Sequence, residues 1–303
     1  MKKIITVMLL TVLAAGCSDK KQPEPAGRND GRLTVAAVNY PLAYFAGRIG
    51  GDLVKVIYPI PAEVDPAFWN PAADEVAAYQ AADLVLLNGA DYAKWVPKVT
   101  LAAGRLVDTS ASFADRYITS EDATTHAHGP GGEHAHTGTA FTTWLDFSQA
   151  IVQADAIRAA LAALRPDLAE IFAANFAGLE EDLRELDARL AELVAGKNER
   201  VMVASHPVYQ YLARRYGLNL WTVMWEPEED PGPAEWVRLA EFLTSNPAAW
   251  MMWEGEPAEA SRQKLDSLGV RSLVFDPCMN RRATGDFLAV MRANLTALAE
   301  AYQ

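Results

Sequence analysis

The stretch DLAEIFAANFAGLEEDLRELDARLAELVAGKNERVMVASH, residues 167–206, decides the fold. Leu168, Ile171, Phe172, Leu179, Leu183, Leu186, Leu190 and Leu193 follow helical spacing along much of the run from Asp167 to Ala195, and Gly196 supplies a stop. At ~1.5 Å per residue such a helix spans roughly 40 Å, enough to reach across two domains as a rigid strut. Val201–Ala204 then reads as a short buried strand, with Ser205 and His206 just past its end. A long helix therefore hands the chain over to a second α/β unit.

Working outward from it, the C-terminal side shows strands at Val201–Ala204, Leu218–Met224, Trp250–Trp253 and Ser272–Phe275. Helices intervene near Pro207–Tyr216, Ala234–Thr244 and Pro257–Leu268, and a last one runs from about Asp286 to Ala301. The N-terminal side repeats the pattern, with strands at Leu33–Val38, Leu53–Tyr58, Leu84–Leu87 and Leu106–Val107. Helices near Pro41–Ile49 and Pro71–Ala81 each open on a proline, whose missing N–H costs nothing in a first turn; Asn70 is the expected cap of the second. Strands alternating with helices imply parallel sheets covered by helices. The expected fold class is α/β: two four-stranded parallel-sheet lobes, joined by one long rigid helix, with a ligand cleft between them. The divisions are an N-terminal lobe at 33–147, including a polar loop at 115–139, a helical segment at 148–197 and a C-terminal lobe at 198–303.

The 303 residues carry 27 Lys and Arg against 39 Asp and Glu, a net charge of −12, with half the residues hydrophobic. That balance supports real cores and excludes a general nucleic-acid binder, which needs a basic face. Lys2 and Lys3 precede an apolar run from Ile4 to Ala15, too short to span a bilayer and suited to a signal peptide over 1–17. Leu13-Ala14-Ala15-Gly16-Cys17 resembles a bacterial lipobox, in which Cys17 becomes the lipidated first residue. Acyl chains there would hold the protein on a membrane, with residues 18–32 as a flexible tether. Cys278 would then have no disulfide partner within the chain.

Ligands in open parallel sheets bind beyond the carboxyl ends of the strands. Past the four C-terminal strands come His206, Glu226, Glu254, and Asp276 with Cys278. Imidazole, carboxylate and thiolate form the donor set of a transition-metal site. A second cluster, His126, His128, His134 and His136, holds four of the chain's five histidines around a Gly-Pro-Gly-Gly turn and reads as a capture loop for zinc, copper or nickel. There is no His-Glu-x-x-His, Gly-x-Ser-x-Gly or phosphate-binding Gly-Lys-Ser/Thr motif, so a binding protein is expected rather than an enzyme.

These residues resemble the metal-specific solute-binding lipoproteins of ABC transporters, zinc/manganese type. The resemblance runs from about Leu33 to Tyr302. It is carried by Tyr58-Pro59, Asp65-Pro66, Asn70-Pro71, Ala82-Asp83-Leu84-Val85 through Asn88-Gly89, Trp144-Leu145-Asp146, Ser205-His206, Tyr211 to Leu218, Phe275-Asp276-Pro277 and Met291-Arg292-Ala293-Asn294-Leu295. It implies two lobes joined by one long helix, an ion bound in the cleft and passed to a membrane permease, and a histidine-rich loop typical of zinc members. It also implies four ligands, two from each lobe. His206 and Asp276 match two of those positions, whereas Ala67 and Thr142 stand where histidines are usual.

Three outcomes are open for the site. Glu254, Cys278 or Glu226 rebuilds it around His206 and Asp276; the loop folds in, since His134 and His136 lie just before Thr142; or the fold has changed ligand. Trp69, Trp144, Trp221, Trp225 and Trp253 fall near strand ends and either wall the cleft or pack the lobe interface. The expected function is a monomeric, lipid-anchored extracytoplasmic receptor, in the periplasm or on the cell surface, that delivers Zn2+, or else Mn2+ or Cu, to the ABC permease of a metal importer. Its rival is a metal-sequestering or adhesin-like surface lipoprotein with no transport role.

Overall fold

Strands and helices alternate as their patterns require, and the computed structural model describes residues 31–120, 125–127, 133–135 and 138–303. The helices are α1 (Tyr40–Gly50), α2 (Ala73–Ala81), α3 (Phe147–Leu164), α4 (Ala169–Val194), α5 (Gln210–Tyr216), α6 (Pro233–Ser245), α7 (Glu259–Ser267) and α8 (Phe287–Ala301). Strands β1 (Leu33–Ala37), β2 (Val54–Ile57), β3 (Leu84–Leu87) and β4 (Leu106–Asp108) form a parallel sheet in the order β2-β1-β3-β4. Strands β9 (Val201–Ala204), β10 (Asn219–Thr222), β11 (Trp250–Trp253) and β12 (Arg271–Val274) form the second, in the order β10-β9-β11-β12.

The order reverses between β1 and β3 in one sheet and between β9 and β11 in the other, which opens a crevice at each switch point. Alternation along the strands covers both faces. Met202, Ala204, Trp250 and Met252 join the large core shared by the two lobes, whereas Val203, Met251 and Trp253 pack with Trp236, Leu239 and Leu265 beneath α6 and α7.

Two local features differ from expectation, and a third decides between two alternatives the sequence left open. α2 starts at Ala73, because the Glu75 carboxylate accepts the Ala72 N–H at 2.6 Å; Asn70 instead donates to the Phe68 carbonyl. The 115–139 segment contains two short antiparallel ladders. β5 (Thr119–Ser120) pairs with β8 (Gly138–Thr139), and β6 (Thr125–Ala127) with β7 (Glu133–Ala135), which sets His126 opposite His134 in register. Trp69, Trp144, Trp225 and Trp253 are buried in the cores, and Trp221 stacks on Phe242 at 3.8 Å, so packing explains the tryptophans near the strand ends. The signal segment, Cys17, the tether up to Asp30, His128 and His136 lie outside the described residues. Among the described residues no helix is long and apolar enough to cross a membrane.

α4 reaches both lobes. Asp182 on it accepts from Arg48 of α1 at 2.8 Å and Arg292 of α8 at 3.0 Å, and Asp187 accepts from Arg215 and Tyr216 of α5. α8 crosses to α1, where Phe287 meets the edge of Phe45 at 5.3 Å.

Candidate metal centre

Strand order places the side chains of the site. β9 lies between β10 and β11, so the loop leaving β9 runs between the loops leaving its two neighbours. The ladder continues past the strands: Trp225 N–H donates to the Ser205 carbonyl at 2.7 Å and Ser205 N–H to the Met252 carbonyl at 2.9 Å. His206 is therefore flanked by Glu226 on one side and Glu254 on the other. Its Nδ1 lies 2.7 Å from Oε1 of Glu254 and 3.7 Å from Oε1 of Glu226. One ligating atom from each of the three falls within 4.8 Å of the others. The imidazole is 2% exposed and the two carboxylates 13% each, so little water competes with an ion there.

His206 Nδ1 and Glu254 Oε1 share a hydrogen bond, and its proton stands where a cation would go. A tetrahedral ion about 2.1 Å from each donor holds them about 3.4 Å apart. The Glu226 contact is already near that spacing, and Glu254 must back off by about 0.7 Å.

Asp276 lines the same cavity, of about 250 Å³, but lies past β12, one strand beyond β11. Its Oδ2 pairs with Arg282, and its Oδ1 accepts the Cys278 N–H at 2.7 Å. Cys278 is fully buried and is not on the cavity wall. Burial, then the Asp276 carboxylate, push its thiol well above the usual range, and a protonated thiol is a poor ligand. Among the described residues, the groups that converge closely enough to hold an ion are His206, Glu226 and Glu254.

The N-terminal lobe closes the cavity with Glu63, Val64, Asp65, Pro66 and Phe141. Ala67 is fully buried, and its N–H donates to Asp65 at 2.8 Å. Thr142 is also buried and donates its hydroxyl proton to the Val208 carbonyl at 2.6 Å, which ties the lobes together. Sequence reasoning missed Arg282, Glu63 and Asp65 as wall residues; Asp65-Pro66 was visible as a motif without a role of its own. The wall carries carboxylates from Glu63, Asp65, Glu226, Glu228, Glu254 and Asp276 against the Arg282 guanidinium, a field that favours a cation.

Comparison with known proteins agrees with this architecture. The zinc-binding lipoprotein AdcA of Streptococcus pneumoniae is 30% identical over 98% of this chain, which spans 60% of that protein's length. The high-affinity zinc uptake system protein ZnuA of Bacillus subtilis is 25% identical, over 76% of this chain and 73% of its own. Among solved structures, the Zn(II)-bound ZnuA-like domain of S. pneumoniae AdcA superposes with a TM-score of 0.75 at 26% identity, covering 90% of this chain and 99% of that domain. The Mn2+ complex of the Pseudomonas aeruginosa solute-binding protein FpvC shares the fold, with a TM-score of 0.71 at 22% identity over 90% of this chain and 99% of its own. The profile of ZnuA, zinc-uptake complex component A, periplasmic, matches residues 35–301, so the chain belongs to the ZnuA family.

Proposed function

We propose that this protein is the extracytoplasmic receptor of a metal importer, tethered to the membrane through a lipidated Cys17. It takes zinc, or a similar divalent transition metal, in the cleft and delivers it to an ABC permease. The observation that carries the reading is the convergence of His206, Glu226 and Glu254 within 4.8 Å at the switch point of the second sheet. One neutral imidazole and two carboxylates balance a divalent charge, and the donor types suit zinc or manganese. The similarity to AdcA and ZnuA, both described as zinc proteins, supports the same cargo. The histidines of the 126–136 segment would collect ions ahead of the cleft.

An ion on Nδ1 leaves the imidazole proton on Nε2, and acid must protonate the imidazole or the carboxylates that ligate, so affinity should fall as the solution is acidified. Calorimetric zinc titration of the mature chain tests the proposal, at about pH 7.5 and again at about pH 5.5, on either side of ordinary imidazole titration. His206→Ala should lose about 100-fold in affinity or more, and Glu254→Gln at least about tenfold. Deleting residues 126–136 should lower the number of ions bound and leave the tight site in place. Wild-type affinity in His206→Ala, with no binding after the deletion, would show that only the loop holds metal.

A further inference from the structure

We infer that Arg282 is a built-in counter-cation that keeps Asp276 out of the ion's coordination sphere, leaving the cargo to His206, Glu226 and Glu254. This rests on the cleft reading above and adds a specificity-determining residue to it. Asp276 stands at the right rim to ligate, but both its oxygens are engaged: Oδ2 with Arg282, Oδ1 with the Cys278 N–H at 2.7 Å. Its carboxylate is 13% exposed, so burial favours keeping it paired.

The Arg282 side chain is 45% exposed, and what is tied down is the loop that carries it. Asn280 Nδ2 donates to the carbonyls of Pro61 at 2.6 Å and Val64 at 2.8 Å, and its Oδ1 accepts the Tyr58 hydroxyl at 2.8 Å. Trp144 Nε1 donates to the Pro277 carbonyl at 2.8 Å. The chain between Asp276 and Arg282 is thus anchored to the first lobe. Arginine keeps its charge throughout the physiological range and offers a planar fork to a carboxylate, so an incoming divalent ion must outcompete a permanent partner to recruit Asp276. A site of one nitrogen and two carboxylates keeps open positions for water. It should hold zinc less tightly, and discriminate less against oxygen-preferring manganese, than a site that recruits a fourth protein donor.

The test is zinc and manganese titration of the mature chain as wild type, Arg282→Gln, Arg282→Met and the pair Arg282→Gln with Asp276→Asn, with zinc-bound crystal structures of wild type and Arg282→Gln. Arg282→Met retains most of the side chain's apolar stem and guards against a loop that shifts on substitution. Expected is a gain of about tenfold or more in zinc affinity for both single variants, larger than the gain for manganese, and its loss in the double variant. In the crystals Asp276 should lie about 2.0–2.2 Å from zinc in Arg282→Gln and remain paired with Arg282 in wild type. A wild-type zinc complex with Asp276 on the ion, or single variants that bind no tighter, would overturn the inference and leave the cleft site standing. Unchanged zinc affinity in His206→Ala and Glu254→Gln would instead remove the cleft site itself, and the inference with it.

Discussion

Cys278 adopts a left-handed backbone, φ 56°, and its side chain is fully buried. The Asp276 carboxylate holds its N–H, and the sulfur packs into the core shared by the lobes. Cys278→Ala should therefore destabilise the fold by about 1–2 kcal/mol through lost packing. It should leave zinc affinity within about twofold, since less than 0.5 kcal/mol separates constants that close. Denaturant unfolding beside zinc titration checks both, and a large loss of affinity with intact stability would return the thiol to the site. Sequence reading put Cys278 beside Asp276 because both come after one strand; the turn that carries the thiol inward has no periodicity to betray it. His206, Glu226 and Glu254 were legible because parallel strands end at one rim. Which carboxylates flank His206 depends on strand order, and neither that order nor the reach of Arg282 to Asp276 is written in local pattern. The bond from Thr142 to the Val208 carbonyl joins residues 66 apart in sequence and has no local pattern.

The helices and strands themselves were largely legible, and α4 most of all, since its apolar spacing covers most of its length. Its 26 residues span about 39 Å, close to the roughly 40 Å expected. The start of α2 was misplaced because Asn70-Pro71 looks like a cap, and the competing capping by Glu75 outweighs it. What periodicity could not show is how α4 is fixed. Asp187 accepts two bonds from the Arg215 guanidinium, at 3.0 and 2.6 Å, and the Tyr216 hydroxyl at 2.8 Å. Tyr216 is 5% exposed, so removing the carboxylate leaves a buried hydroxyl without that partner. Asp187→Ala should lower stability by about 1–2 kcal/mol. Because Asp187 lies outside the cavity wall, zinc affinity in the folded variant should not change. Thermal unfolding and calorimetry on the same preparation separate the two; a drop in affinity at unchanged stability would mean that α4 tunes the cleft.

At the scale of the whole molecule, two lobes were readable from the sequence, but their single continuous core was not, because pattern does not say which helix faces meet across an interface. Side chains from both sheets and from α1, α3, α4 and α8 belong to one buried cluster, and Tyr209 within it donates to the Phe275 carbonyl at 2.7 Å. Burial of this kind also reaches the tyrosines. Nine of the ten have phenols raised above the ordinary value, each with loss of hydration as the leading cause. Tyr44 is pushed up to about 12, and the fully buried Tyr92 and Tyr209 are raised well above the ordinary value. An unfolded chain releases its phenolic protons near pH 10, whereas the folded chain keeps them. Between those limits the native state binds more protons than the unfolded one, so stability falls as pH rises. The stabilisation is complete below about pH 10 and, for Tyr44, is lost by about pH 12; each buried phenol steepens the fall by up to about 1.4 kcal/mol per pH unit. Phenolate absorbance should therefore rise cooperatively and together with loss of the circular dichroism signal. If most tyrosines ionised gradually near pH 10 while the helices stayed intact, the phenols would be hydrated and the shared core looser than the packing described.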